Sequence, residues 1–216
     1  LFRSLTNSQL MALSTSQLSV VSSTQLEALS TSQVKALTST QLNALSADQI
    51  GSIETADIAA LTTTQLSGLS TASAQALTSA QVTALGSAQL QSLTSAQLNA
   101  LDAEDVTAMG TAQIAALTTT QVSQLSTAQV EALSTAQVAG MTTAQVASLT
   151  TAQMASLSND QIAKLGTQQA QSLTATQINA LSADQVAAVE TADIAALTTA
   201  QLSGLSTATV SALSTA

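Results

Sequence analysis

The chain has 216 residues, 12 acids against 3 bases for a net charge of −9, one Phe, and no Trp, Tyr, His, Cys or Pro. That inventory excludes a Ser-His-Asp triad, a thiolate nucleophile, an imidazole proton shuttle, the usual zinc and haem ligation, and any disulfide. The three bases Arg3, Lys35 and Lys164 are too few to neutralise a phosphate backbone, and no aromatic platform exists for a base to stack on, so nucleic acid is not expected as a partner.

A period of eight governs everything else. Stepping by eight from Leu5 reaches Leu13, Leu29, Leu37 and onward to Leu213, and only Val21, Ile53, Met109, Met141 and Val189 depart from Leu in 27 places. Numbering each octad from that Leu, position two is Ser or Thr, position five Gln, position six an aliphatic residue, and position eight small. Position seven varies freely and should face water. No insertion breaks this register.

Three conformations compete for such a period. One long helix would let the Leu stripe drift by about 80° per octad, so no fixed face could be buried. A strand would send positions one and six to opposite faces, and the turn residues of a β-solenoid are scarce; that reading is the alternative. The third is one short helix per octad. The Ser or Thr is then the N-cap and the Gln is N3, which together make a capping box, while Leu and the position-six aliphatic make the hydrophobic staple around it. The expected fold is therefore all-α, a solenoid of very short capped helices.

Taken along the chain, helices are predicted to start after Thr6, Ser14, Ser22, Ser30, Thr38 and Ser46, then after Glu54, where Asp57 replaces Gln. The octads of Ser70 and Thr78 follow, the first with Ser73 and Ala74 in place of Gln and the aliphatic. Gly86, Asp102 and Gly110 are acceptable caps. Asp102-Ala103-Glu104-Asp105 is the strongest calcium candidate, yet its spacing does not match an EF-hand loop, and acids in a first turn are favoured by the helix dipole without any metal. Asp48, Glu54 and Asp57, echoed by Asp184, Glu190 and Asp193, read the same way. From Thr111 through Thr119, Thr127, Thr135, Thr143 and Thr151 position three is always Thr, a column that would offer a hydroxyl ladder if it lay on one face. Gly166 and Ala170 are the next departures. Residues 181–213 then repeat 45–77 at an offset of 136, or 17 octads, with Ser46-Ala47-Asp48-Gln49 returning as Ser182-Ala183-Asp184-Gln185.

No catalytic, cofactor-binding or metal-ligating residue is assigned, no cofactor or small-molecule substrate is expected, and no run of 18 apolar residues suggests membrane insertion. The chain reads as one continuous array, 1–216, of about 27 octads. It starts and stops in mid-octad at Phe2-Arg3-Ser4 and Ser214-Thr215-Ala216, which suggests a segment of a longer array. A lone helix of this length is unstable, so stability must come from stacking between neighbours. Two octads per superhelical turn, as flat layers of paired antiparallel helices, are favoured because paired rods leave no central void.

Octads such as Leu125-Ser126-Thr127-Ala128-Gln129-Val130-Glu131-Ala132 resemble the Ser/Thr/Ala-rich tandem arrays of very large secreted or surface-anchored, adhesin-like bacterial proteins. The resemblance implies a passive, extracellular element: a spacer or stalk, or a filament or sheath element joined end to end by self-association. The alternative expectation is a repetitive binding surface for ice, glycan or calcium.

Overall fold

A computed structural model describes residues 2–213. They form 26 α-helices of four to seven residues, preceded by a 3-10 turn at Phe2–Ser4, with no strand among the described residues. The helices recur every eight residues, as in Thr127–Ala132, Thr135–Gly140 and Thr143–Ser148. The fold is an all-α solenoid of short helices. Ser214, the last expected N-cap, lies outside the described residues.

Each helix starts where the capping chemistry places it. Thr142 accepts from the Gln145 backbone N–H at 3.2 Å and its own N–H donates to Gln145 Oε1 at 2.8 Å, so two of the four unpaired N–H groups of a helix start are satisfied reciprocally. Each helix ends as regularly. The N–H of the following Leu donates three residues back to the position-six carbonyl, as in Leu149 to Val146 at 3.2 Å. Leu149 then lies at φ −59°, ψ 135° and the next N-cap, Thr150, at φ −71°, ψ 161°. Two extended residues therefore make the whole corner. Among the described residues none has positive φ and no peptide is cis, which is why an array with so many corners needs almost no Gly.

Positions one and six carry the core. Leu133 and Val138 are 4% and 0% exposed, and the same pairs are buried through nearly the whole chain. Position seven is exposed in most octads, as expected from its variability.

The chain divides into two compact units, Leu1–Met109 and Gly110–Ala216. In the first, Thr71–Gln75 packs on Ser95–Ala100 and Ser79–Thr83 on Ala103–Ala108; in the second, Thr119–Gln124 packs on Thr143–Ser148 and Thr127–Ala132 on Thr151–Ser156. In these pairs the partner is the third helix on. This corrects the expectation of two octads per turn, because side-chain hydrogen bonds between layers span 25 to 31 residues, which places the turn of each unit between three and four octads. The void feared for so wide a coil is closed by supply: every octad in a turn sends two aliphatic side chains to the axis, and side chains at that density fill the interior.

The exceptions show how closely it is filled. Ala170, like Ala74, stands where the other octads have Val, Leu, Ile or Met, and a cavity of about 30 Å³ lies beside Ala170, walled by Ile162, Leu165, Leu173, Asp193 and neighbouring aliphatics.

Candidate functional site

The chemistry of this fold resides in a repeated side chain, the position-five glutamine, and its environment differs from the expected one in an important respect. A residue that serves only as a capping-box partner sits at a helix start on the surface. In this structure Gln137, Gln145, Gln153 and Gln161 are 1% to 3% exposed, which calls for partners on both ends of the amide.

The Oε1 end caps the helix to which the glutamine belongs. The Nε2 end reaches the layer before. Gln153 Nε2 donates to the Val122 carbonyl at 2.9 Å and the Leu125 carbonyl at 2.8 Å, 31 and 28 residues earlier. Gln81 does the same to Ile50 and Ile53 at 2.9 and 2.8 Å, and Gln97 to Leu66 and Leu69 at 2.9 and 2.6 Å. In the second unit Gln177 reaches Val146 and Leu149 at 3.1 and 2.8 Å. The acceptors are the position-six carbonyl at a helix C-terminus and the position-one carbonyl in the corner that follows. Helix C-termini leave carbonyls without intrahelical donors. One glutamine thus closes the N-terminus of its own helix and the C-terminus of a helix in the adjacent layer.

Sequence reasoning found only the first of these functions. The overlooked signal is the absence of Glu: a capping box accepts Glu as readily as Gln, yet position five is Gln in 21 of 26 octads and never Glu. Only the amide can donate.

Where glutamine is missing, other residues replace its bonds. The Ser70 octad carries Ser73 at position five, and the Ser70 N–H donates instead to Asn43 Oδ1 at 2.8 Å, while Asn43 Nδ2 donates to the Gly68 carbonyl at 2.9 Å. Gly68 is required there, because a Cβ would meet Ser39 Oγ at 2.5 Å and Ser39 Cβ at 2.8 Å. Asn179 makes the same pair of bonds to Ser206 and Gly204, at 2.8 and 2.9 Å. Neither asparagine is singled out by the octad pattern, since position seven otherwise varies.

The acidic candidates fall at caps rather than at a metal centre. Asp57, Asp105 and Asp193 occupy glutamine positions and are 3% to 6% exposed. Asp105 Oδ1 accepts from Ser79 Oγ at 2.6 Å and Oδ2 from the Asp102 N–H at 3.2 Å; Asp193 Oδ1 accepts from Thr167 Oγ1 at 2.7 Å. Asp102 is the N-cap of Ala103–Ala108, as expected, and the Asp105 N–H goes to the Asp102 carbonyl at 3.1 Å. Glu54 and Glu190 make no side-chain cap bond, since their longer side chains overshoot the cap geometry of Ser or Thr. Asp48, Glu104 and Asp184 are exposed on first turns. Among the described residues no three acids converge as metal ligands. Arg3, Lys35 and Lys164 are all exposed.

The Thr column is exposed at every member from Thr111 to Thr151, but it does not form one face. Consecutive octads lie on successive sides of a coil with three to four octads per turn, so the six hydroxyls wind around the second unit. Octads that stack are three or four apart: Gly140, for instance, sits where a Cβ would meet Thr111 Cβ at 3.2 Å.

Among the described residues no helix is long and apolar enough to cross a membrane. No curated protein matches the chain. Matches to the ALTTAQ repeat cover residues 23–52, 50–87, 99–135, 128–159, 135–167 and 186–216, well over half of it. The hexapeptide itself stands at Ala196-Leu197-Thr198-Thr199-Ala200-Gln201 and spans the small residue, the corner, the N-cap and the glutamine that binds two helices. The chain is a tandem array belonging to the ALTTAQ repeat family.

Proposed function

We propose that this array is a structural element of an extracellular or surface-anchored bacterial protein, serving as a spacer or stalk and, where copies join end to end, as a filament or sheath element. The family match is to a repeat alone, which supports a structural protein rather than an enzyme. The observation that carries the reading is the two-ended glutamine. Within each unit, layers are bonded to the ones before by the same donors on equivalent carbonyls, a scheme that lets layers be added without any specialised centre. The extracellular placement rests on the resemblance of the octads to secreted and surface-anchored arrays.

Small-angle X-ray scattering of the monomer tests the spacer directly. A compact globule of this length has a radius of gyration of about 17 Å; a spacer gives a clearly larger value and an elongated distance distribution. A value at the globular figure overturns the reading.

A further inference from the structure

Asp57 occupies a glutamine position and is 3% exposed, yet its carboxylate accepts no hydrogen bond from any described residue. Its counterparts are engaged: Asp105 by Ser79 and the Asp102 N–H, Asp193 by Thr167. Thr31 precedes Asp57 by the same 26 residues that separate Ser79 from Asp105, but it makes no such bond. No fully enclosed side-chain oxygen lacks a partner among the described residues. The Asp57 oxygens therefore open onto the groove of about 260 Å³ that this residue lines with Glu27, Leu29, Thr31 and Glu54.

The other half of the site is a backbone carbonyl. In nearby octads the position-one carbonyl receives a glutamine Nε2: Val21 from Gln49 at 2.5 Å, Leu37 from Gln65 at 2.7 Å and Ile53 from Gln81 at 2.8 Å, each 28 residues on. Leu29 stands 28 residues before Asp57, and its carbonyl accepts no hydrogen bond among the described residues, because a carboxylate has no proton to give. A nitrogen donor is thus missing from a place that the backbone still shapes for one, and a full negative charge lines the same groove. A buried charge is costly until it is paired. Glu27 and Glu54 add to it, so the groove carries three carboxylates against one guanidinium, that of Arg3.

We propose that this groove binds an aliphatic diamine, one primary ammonium taking the Asp57 carboxylate and the Leu29 carbonyl as acceptors and the second taking Glu27 and Glu54. The ammonium puts back the N–H donor that Gln65 and Gln81 supply to their carbonyls at 2.7 and 2.8 Å, and it brings the positive charge that Asp57 calls for. Calcium fits less well, since it draws about six to eight oxygens to about 2.3–2.6 Å and among the described residues no three acids converge as metal ligands. A lysine side chain offers the same ammonium with a single charge, and the acids Glu27 and Glu54 set the two sources apart.

The test is a titration of the isotope-labelled 216-residue chain with butane-1,4-diamine at constant ionic strength, followed by proton–nitrogen correlation NMR. Saturating shifts are expected at the amides of Leu29, Ser30, Thr31 and Asp57. Asp57→Gln restores the majority residue of that position and supplies the donor from within, so it is expected to abolish the shifts and to raise the melting temperature. Glu27→Gln combined with Glu54→Gln should weaken the diamine by about tenfold or more. Nα-acetyl-lysine amide, with its single charge, should bind about tenfold more weakly than the diamine; equal binding overturns the diamine in favour of a lysine side chain. The proposal is also overturned by the lack of any saturating shift, by shifts that persist in Asp57→Gln, by equal shifts around the engaged Asp105, or by the same shifts from calcium at equal concentration.

Discussion

Gln153 separates capping from bridging within one side chain. Gln153→Glu retains the acceptor for the Thr150 N–H and loses both donors to the Val122 and Leu125 carbonyls; two buried bonds and a carboxylate facing two carbonyls are expected to lower stability by about 2–4 kcal/mol. The same change at Gln17, whose Nε2 has no acceptor among the described residues, should cost under about 0.5 kcal/mol in the monomer. Urea melts of the two variants at low protein concentration check the contrast, and equal losses would refute the bridging function. Capping was legible in the spacing of Ser or Thr and Gln because N-cap and N3 are three residues apart on one chain. Bridging was not, because its acceptors lie 28 and 31 residues away.

At the scale of the element, the irregular octads are the informative ones. Asn43→Ala should cost about 1–2 kcal/mol by removing the partners of the Ser70 N–H and the Gly68 carbonyl. Ser73→Gln should recover part of that loss by supplying Oε1 from within the octad, and a double-mutant cycle by thermal melting reads the coupling. Ala170→Val fills part of the cavity of about 30 Å³ beside Asp193 and is expected to stabilise by about 0.5–1 kcal/mol; a lower melting temperature would mean that the surrounding aliphatics have already collapsed into the space. The pattern of one helix per octad, with Leu and the aliphatic turned inward, was readable from the sequence down to single residues such as Val138 and Leu133. The behaviour of Glu54 and Glu190 was not, since a cap position tolerates an acid whether or not its side chain turns back to bond.

For the whole molecule, bonds that skip three to four octads set a minimum length for folding. A peptide covering residues 117–148, four octads, makes about one turn and has no second layer for most of its glutamines to reach, so it should be unfolded by circular dichroism. One covering 117–180 should show strong helical signal, as nearest-neighbour stacking begins to outweigh the cost of ordering each octad. Equal helicity per residue in the two peptides would show that the octads are stable alone.

The sequence by itself determined that each octad holds one short helix, where that helix starts and the pair of side chains turned to the core. All of these follow from contacts within about eight residues, where chain connectivity leaves few alternatives. The tertiary structure alone decided how many octads make a turn, that Thr111 to Thr151 wind around the coil instead of aligning, and which carbonyls the glutamine amides find. Small differences in φ and ψ at the two corner residues rotate each helix relative to the last, and those rotations accumulate over 24 to 32 residues. Only packing of the aliphatic interior against the preceding layer fixes their sum.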